Sequence, residues 1–154
     1  MSRVHTYATR LDWSGSTAVG YEEYGRGHTV RAAPAEAALE LSSDPAFLGD
    51  PRHLNPEQLL VAAASSCQLL SFLAGAARAR IEVLEYTDEA EGTMDESERP
   101  PWVQRIVLRP RIVVAPGTDE ARVRRLVELG HEHCYIANTV RSELTVEPTI
   151  EVRS

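Results

Sequence analysis

From Gln58 to Ala77 the chain carries no charged residue, and this run (QLLVAAASSCQLLSFLAGAA) constrains the fold more than any other feature. Its start is marked as a helix. Asn55 is a good N-cap, Pro56 suits the first helical position, and Gln58 at the third completes a capping-box pattern. Glu57 adds a carboxylate at the positive end of the helix dipole. About twenty apolar residues suffice to cross a bilayer, so length alone admits a membrane span. The composition argues otherwise, because Ser65, Ser66, Gln68 and Ser71 occupy the centre and no aromatic belt flanks the run. The expectation is a core helix buried on every side, ending near Arg80, with Cys67 close to its midpoint. One small subunit gives such a helix too little cover. A second copy would supply the rest, and two-fold dimers are the commonest closed oligomers, so a homodimer is expected.

At 154 residues, 43% of them hydrophobic, the chain is long enough for one domain, residues 1–154, with a real core. A formal net charge of −7 argues against nucleic acid or an anionic membrane as the main partner. The opening MSRVHTYATRLDWSG lacks the apolar region of a signal peptide. A cytoplasmic location is therefore expected, where thiols stay reduced and lasting disulfides are rare.

Around the long helix the pattern is mostly extended. Val4 to Trp13 alternates loosely as a strand, Gly15 marks a turn, and Thr17 to Tyr24 reads as the second arm of a hairpin. A short extended piece runs from His28 to Ala33, and Pro34 to His53 reads as a loop long enough to be functional. Beyond the helix, Ile81 to Met94 reads as a strand and Asp95 to Pro101 as a charged turn. Trp102 to Ala115 (WVQRIVLRPRIVVA) is the strongest strand signal, with Pro110 marking a bulge or an edge. Pro116-Gly117-Thr118 stops it, and Thr118 can cap a second helix. On that helix Val123, Leu126, Val127, Gly130 and Cys134 share one face. Leu144 to Val152 is a final strand. The order predicts an α+β domain with helices packed on antiparallel sheet.

The chain has two cysteines, Cys67 and Cys134, one on each helix. In a reducing compartment such a pair is buried filler, a metal site or redox chemistry. Two helices covered by the same sheets could bring the sulfurs together. Glu57 and Cys67 are ten residues apart, about 15 Å along one helix, so within a subunit they cannot touch unless the helix breaks. His131, His133 and Cys134 (HEHC) invite a metal reading, but zinc sites ordinarily need three or four ligands and no clear fourth is near. The alternative is two surface histidines that suit the negative end of a helix.

The segment NPEQLLVAAASSCQLLSFLA resembles the central helix of the osmotically inducible and organic hydroperoxide resistance (OsmC/Ohr) family. The resemblance lies in the NPE opening, the two leucines, the small-residue stretch and a cysteine ten residues after the glutamate. HCYIANTV is similar to the second cysteine motif of one branch, and SSDPAFLGDP, DEAEGTM and VLRPRIVV also look like that branch. Tyr135 stands where proline follows the second cysteine in the best-known members, and Gln68 where histidine often follows the first.

The resemblance implies an OsmC-like fold: an intertwined homodimer with antiparallel sheets around long buried central helices. It also implies reduction of organic hydroperoxides by thiols, without metal, haem or other cofactor. Cys67 would be the peroxidatic thiol and Cys134 the resolving one. An external dithiol, such as a lipoyl protein, would reduce the resulting disulfide. An arginine held by Glu57 would favour the Cys67 thiolate. Arg26 in YEEYGRGH is the first candidate for that cation, with Arg31 and Arg52 as rivals.

Overall fold

A computed structural model of the chain describes residues 3–154. Two compact units are present, Met1–Leu59 and Leu60–Ser154.

In the first unit, β1 (Arg10–Asp12), β2 (His28–Arg31) and β3 (Ala38–Leu41) form an antiparallel meander. The strand expected from Val4 shrinks to β1, and Val4 and Tyr7 stand almost wholly exposed. Thr17 to Tyr24 is not a strand. A single 3-10 turn, Thr17–Val19, is capped by the Ser16 hydroxyl and ends at Gly20, whose φ of 96° breaks the extended path. The carbonyls of Tyr21 and Tyr24 then both accept from the Arg26 guanidinium, at 2.8 and 2.9 Å, where a strand would send them to a neighbour. The supposed loop from Pro34 to His53 contains β3, which continues the alternation of Leu39 and Leu41 with smaller or polar residues. A second 3-10 turn, Pro45–Phe47, follows, with Asp44 accepting from the Ala46 N–H at 2.8 Å. Gly49 is required there, since a Cβ would lie 1.6 Å from the Ser43 carbonyl oxygen.

Helix α1 (Pro56–Arg78) begins as its sequence predicts. Asn55 Oδ1 accepts from the Gln58 N–H at 2.8 Å, and Gln58 Oε1 accepts from the Asn55 N–H at 3.0 Å. Both arms of the capping box are therefore made. The helix is long and apolar enough to cross a membrane by length and composition. Its fully buried residues form one stripe, Ala64, Gln68, Phe72 and Ala76, spaced by four. The rest of its surface is less covered than an all-round core helix would be, with Leu70 64% exposed.

In the second unit each long extended segment is broken once. Ile81 to Met94 becomes β4 (Val83–Asp88) and β5 (Glu91–Met94). Trp102 to Ala115 becomes β6 (Val103–Leu108) and β7 (Pro110–Val114). The final segment becomes β8 (Glu143–Val146) and β9 (Thr149–Val152). The halves sort into two three-stranded sheets, β4-β7-β9 and β5-β6-β8. The physical cause is a loss of ladder donors at the breaks. Pro110 and Pro148 lack N–H donors at two of the breaks, and the Arg109 N–H leaves the ladder for Asp88 Oδ1 at 2.7 Å. Asp88 also accepts from the Ser65 hydroxyl of α1 at 2.5 Å, tying the helix to the bend.

The sheets are mixed. The central segment pairs antiparallel with β4 and β5 and parallel with β8 and β9. Parallel pairing needs a crossover, and α2 (Glu120–Glu132) supplies it. Its cap is Asp119, which accepts from the Ala121 N–H at 3.0 Å, and not Thr118, whose hydroxyl turns back to the Ala115 carbonyl. The buried face of α2, Val123 and Val127, meets Phe72, Ala76, Ile112 and Val114 in the larger core. Ala64, Ile106 and Leu108 form a second cluster, joined by Ile136 and Leu144.

Candidate functional site

The two helices of this unit run antiparallel, and their contacts read as a ladder. Arg122 Nη2 donates to the Ala79 carbonyl at 2.9 Å. One turn further, a Cβ on Gly75 would lie 3.6 Å from Leu126. Next, Gly130 sits against the backbone of Phe72. Each step back along α1 is thus a step forward along α2, as far as the last turn of α2. Just beyond the end of that ladder, Cys134 is adjacent to Cys67.

Cys134 lies past the end of α2 rather than on it, because the helix stops at Glu132 and His133 is its C-cap. Its side chain is wholly buried, whereas Cys67 is partly exposed, and both thiols are free. Burial pushes the Cys134 thiol above its ordinary pKa, and hydrogen bonding and charge from the adjacent Cys67 push it the same way. Backbone N–H groups of Ala137 and Ile136 oppose this, with Ala137 N 3.4 Å from Cys134 Sγ. Sequence reasoning missed two residues here. Asn138 donates through Nδ2 to the carbonyls of Cys134 and Glu132, at 2.9 and 3.0 Å, and fixes the turn that carries the sulfur. Gln68 is fully buried and donates to the Val127 carbonyl at 3.1 Å. An asparagine four residues past the cysteine, just after a helix, was the available signal for the first.

The histidines do not act as a set. His133 turns Nδ1 onto the Leu129 carbonyl at 2.8 Å, while His131 Nδ1 is buried without a partner among the described residues. Among the described residues, no group of three His, Cys, Asp or Glu side chains is placed to share a metal ion.

Arg26 and Glu57 belong to the first unit and line one cavity of about 440 Å³, with Trp13, Tyr24, His28 and Phe47. The Arg26 guanidinium lies 4.0 Å from the Tyr24 ring centroid and 4.9 Å from that of Tyr21. With its two bonds to the Tyr21 and Tyr24 carbonyls, it is held by aromatic faces and backbone. No ion pair between Arg26 and Glu57 forms among the described residues. The rivals are engaged elsewhere. Arg52 grips Asp50, at 2.6 Å, and holds that carboxyl far below the usual carboxylate range, while Arg31 lies 3.6 Å from Asp12. Among the described residues, Arg26 is the one of the three without a carboxylate partner.

Residues 49–149 match the model of the family described as OsmC-like protein. The chain belongs to the OsmC-like family. An organic hydroperoxide resistance protein of Xanthomonas axonopodis pv. citri is 30% identical over 135 residues, covering 80% of this chain and 87% of that protein. An uncharacterized protein of Bacillus subtilis is 23% identical, with 96% of each chain covered. Among solved structures, an OsmC-like protein of unknown function from Vibrio cholerae superposes with a TM-score of 0.85. It is 29% identical and covers 95% of this chain and 100% of its own. An organic hydroperoxide resistance protein from Elizabethkingia anophelis gives a TM-score of 0.72 at 21% identity, with 99% and 100% covered, and supports the OsmC-like fold. The α+β architecture and the family expected from the two cysteine motifs are therefore both found.

Proposed function

We propose that this OsmC-like protein is a thiol-dependent peroxidase that reduces organic hydroperoxides to alcohols. The observation that carries the reading is the meeting of two free thiols, one partly exposed and one buried, at the end of the helix ladder. Named relatives are organic hydroperoxide resistance proteins, which supports the substrate class.

In the proposed cycle, the Cys67 thiolate attacks the terminal peroxide oxygen, forming an S–O bond as the O–O bond breaks. The alkoxide takes up a proton and leaves as the alcohol, and Cys67 is now a sulfenic acid. Cys134, as thiolate, attacks the Cys67 sulfur. The S–S bond forms, and hydroxide departs as water after gaining a proton. An external dithiol returns both cysteines to thiols by exchange. Arg26 is the proposed cation that favours the Cys67 thiolate and the departing alkoxide, and Glu57 the carboxylate that orients it. Along α1, ten residues set Glu57 about 15 Å from Cys67. The Arg26–Glu57 cavity is therefore proposed to serve the thiols of a second copy in a homodimer. The uncovered apolar surface around Leu70 supports such a dimer. A cytoplasmic location, where a dithiol reductant is at hand, fits the same reading.

The test is intact mass after one equivalent of cumene hydroperoxide. The native protein should lose about 2 Da as the disulfide closes. Cys67→Ser should neither lose mass nor consume peroxide. A Cys67→Ser protein that consumes peroxide at the native rate sinks the assignment.

A further inference from the structure

Gln68 is a full-size polar residue with no exposed surface, on the turn of α1 that carries Cys67. Burying an amide is costly unless its hydrogen bonds are made. Here only one side is satisfied: Nε2 reaches the Val127 carbonyl, while Oε1 has no partner among the described residues. Methionine or leucine would fill the same space without that unmet oxygen, so packing alone does not account for an amide. The single bond it makes crosses from α1 to α2. Val127 is helical, so its carbonyl sits opposite the His131 N–H in the regular ladder and gains nothing essential from a second donor.

What the bond does is directional. From the turn of α1 that carries Cys67, Gln68 reaches across Gly130 to the Val127 carbonyl, so this bond and the Gly130–Phe72 contact fix α1 on α2 together. Gly130 lets the helices approach, since a Cβ there would stand 3.1 Å from Phe72 N and 3.4 Å from Gln68 Nε2. Apolar packing tolerates small slides and rotations. A disulfide does not, because its Cβ atoms must come to roughly 3.5–4.5 Å with a restricted torsion.

We propose that Gln68 is a positioning residue that sets the register of α1 on α2, so that Cys67 and Cys134 close a disulfide with high effective concentration. The proposal rests on the reading of these two thiols as a redox pair.

The test equilibrates the purified protein, oxidised with diamide, in glutathione buffers and measures the disulfide fraction by alkylation and intact mass. No peroxide is involved. Gln68→Met keeps length and removes the donor; Gln68→Asn keeps the amide on an arm too short to reach. Both should lower the effective concentration about five- to tenfold, the tenfold case raising the reduction potential by about 30 mV. The urea midpoint of the reduced Gln68→Met protein should stay close to native, which separates positioning from general stability. Unchanged effective concentration in either folded variant overturns the role of Gln68. Failure of the native protein to form the disulfide with diamide overturns the thiol-pair reading itself.

Discussion

Two glycines on the facing helices should respond to the same substitution with opposite signs. Replacing a helical glycine by alanine removes a backbone-entropy cost of about 0.5–1 kcal/mol if the new methyl fits. At Gly75 it fits: the nearest atom to a built Cβ is Leu126 Cδ2 at 3.6 Å, an ordinary contact. Gly75→Ala should therefore stabilise the protein by about 0.5–1 kcal/mol. At Gly130 the Cβ would meet Phe72 N at 3.1 Å and Phe72 Cα at 3.2 Å. These are backbone atoms of α1, held by a fully buried Phe72, so neither can swing away. Overpacking of this kind costs about 1–3 kcal/mol. Because Gly130 lies in the last turn of α2, the offsetting propensity gain is at its smallest. The net is a loss of about 1–2 kcal/mol, and with a urea slope of about 2 kcal/mol/M the midpoint should fall by about 0.5–1 M. Urea unfolding followed by far-ultraviolet circular dichroism measures both variants. A Gly130→Ala protein more stable than native would refute the close contact of α2 with the Phe72 backbone.

The same geometry sets the remaining expectations. Asn55→Ala breaks the capping box and the contact of Asn55 Nδ2 with Asp44 at 3.2 Å, and should cost about 1–2 kcal/mol in the same unfolding assay. Leu70→Glu puts a charge on the uncovered side of α1 and should shift the protein from dimer toward monomer in light scattering; a native protein that is already monomeric would contradict the proposed dimer. Burial raises the Cys134 thiol, so disulfide closure after oxidation should quicken as pH rises through and beyond the usual thiol range near 8.5. A rate already level below about pH 8 would contradict that. A raised pKa also means that the folded state holds its proton longer than the unfolded one. Stability of the reduced protein from this group is accordingly complete below about 8.5 and declines above it.

How much of this could be read from the chain depends on the range of the forces involved. The start of α1 was legible because a capping box is local, with Asn55 and Gln58 three residues apart answering each other. The α+β order was legible because apolar periodicity records burial. The breaks in the long strands were not. Pro110 looked like a bulge, and nothing near it in sequence reveals that Asp88, on another strand, takes the Arg109 N–H. The second hairpin arm failed for a similar reason, since Tyr21 and Tyr24 fit a strand until Arg26 takes their carbonyls. Cys67 and Cys134 were identifiable as a possible pair, but their adjacency depends on the antiparallel ladder of α1 on α2 and on the turn beyond it that Asn138 fixes. That ladder is built from Arg122 on Ala79 and Gly130 on Phe72, contacts no periodicity encodes.

The departure at Tyr135 shows where the second cysteine motif keeps its physical content. If the residue after Cys134 helped to hold the sulfur, its side chain should be packed, yet Tyr135 is 82% exposed. The holding is done further along HCYIANTV. Ile136 is anchored in the smaller core, the Ala137 N–H faces the sulfur, and Asn138 ties its side chain to two carbonyls of the turn. The Asn138 N–H also bonds the Cys134 carbonyl at 3.0 Å, so that turn is closed by backbone and side chain alike. A change confined to position 135 therefore alters what the surface beside the thiols offers to an approaching molecule. It leaves the sulfur where the fold puts it. Under the proposed thiol chemistry, Tyr135 bears on access of substrate and reductant, and Asn138 on the geometry of the thiol pair.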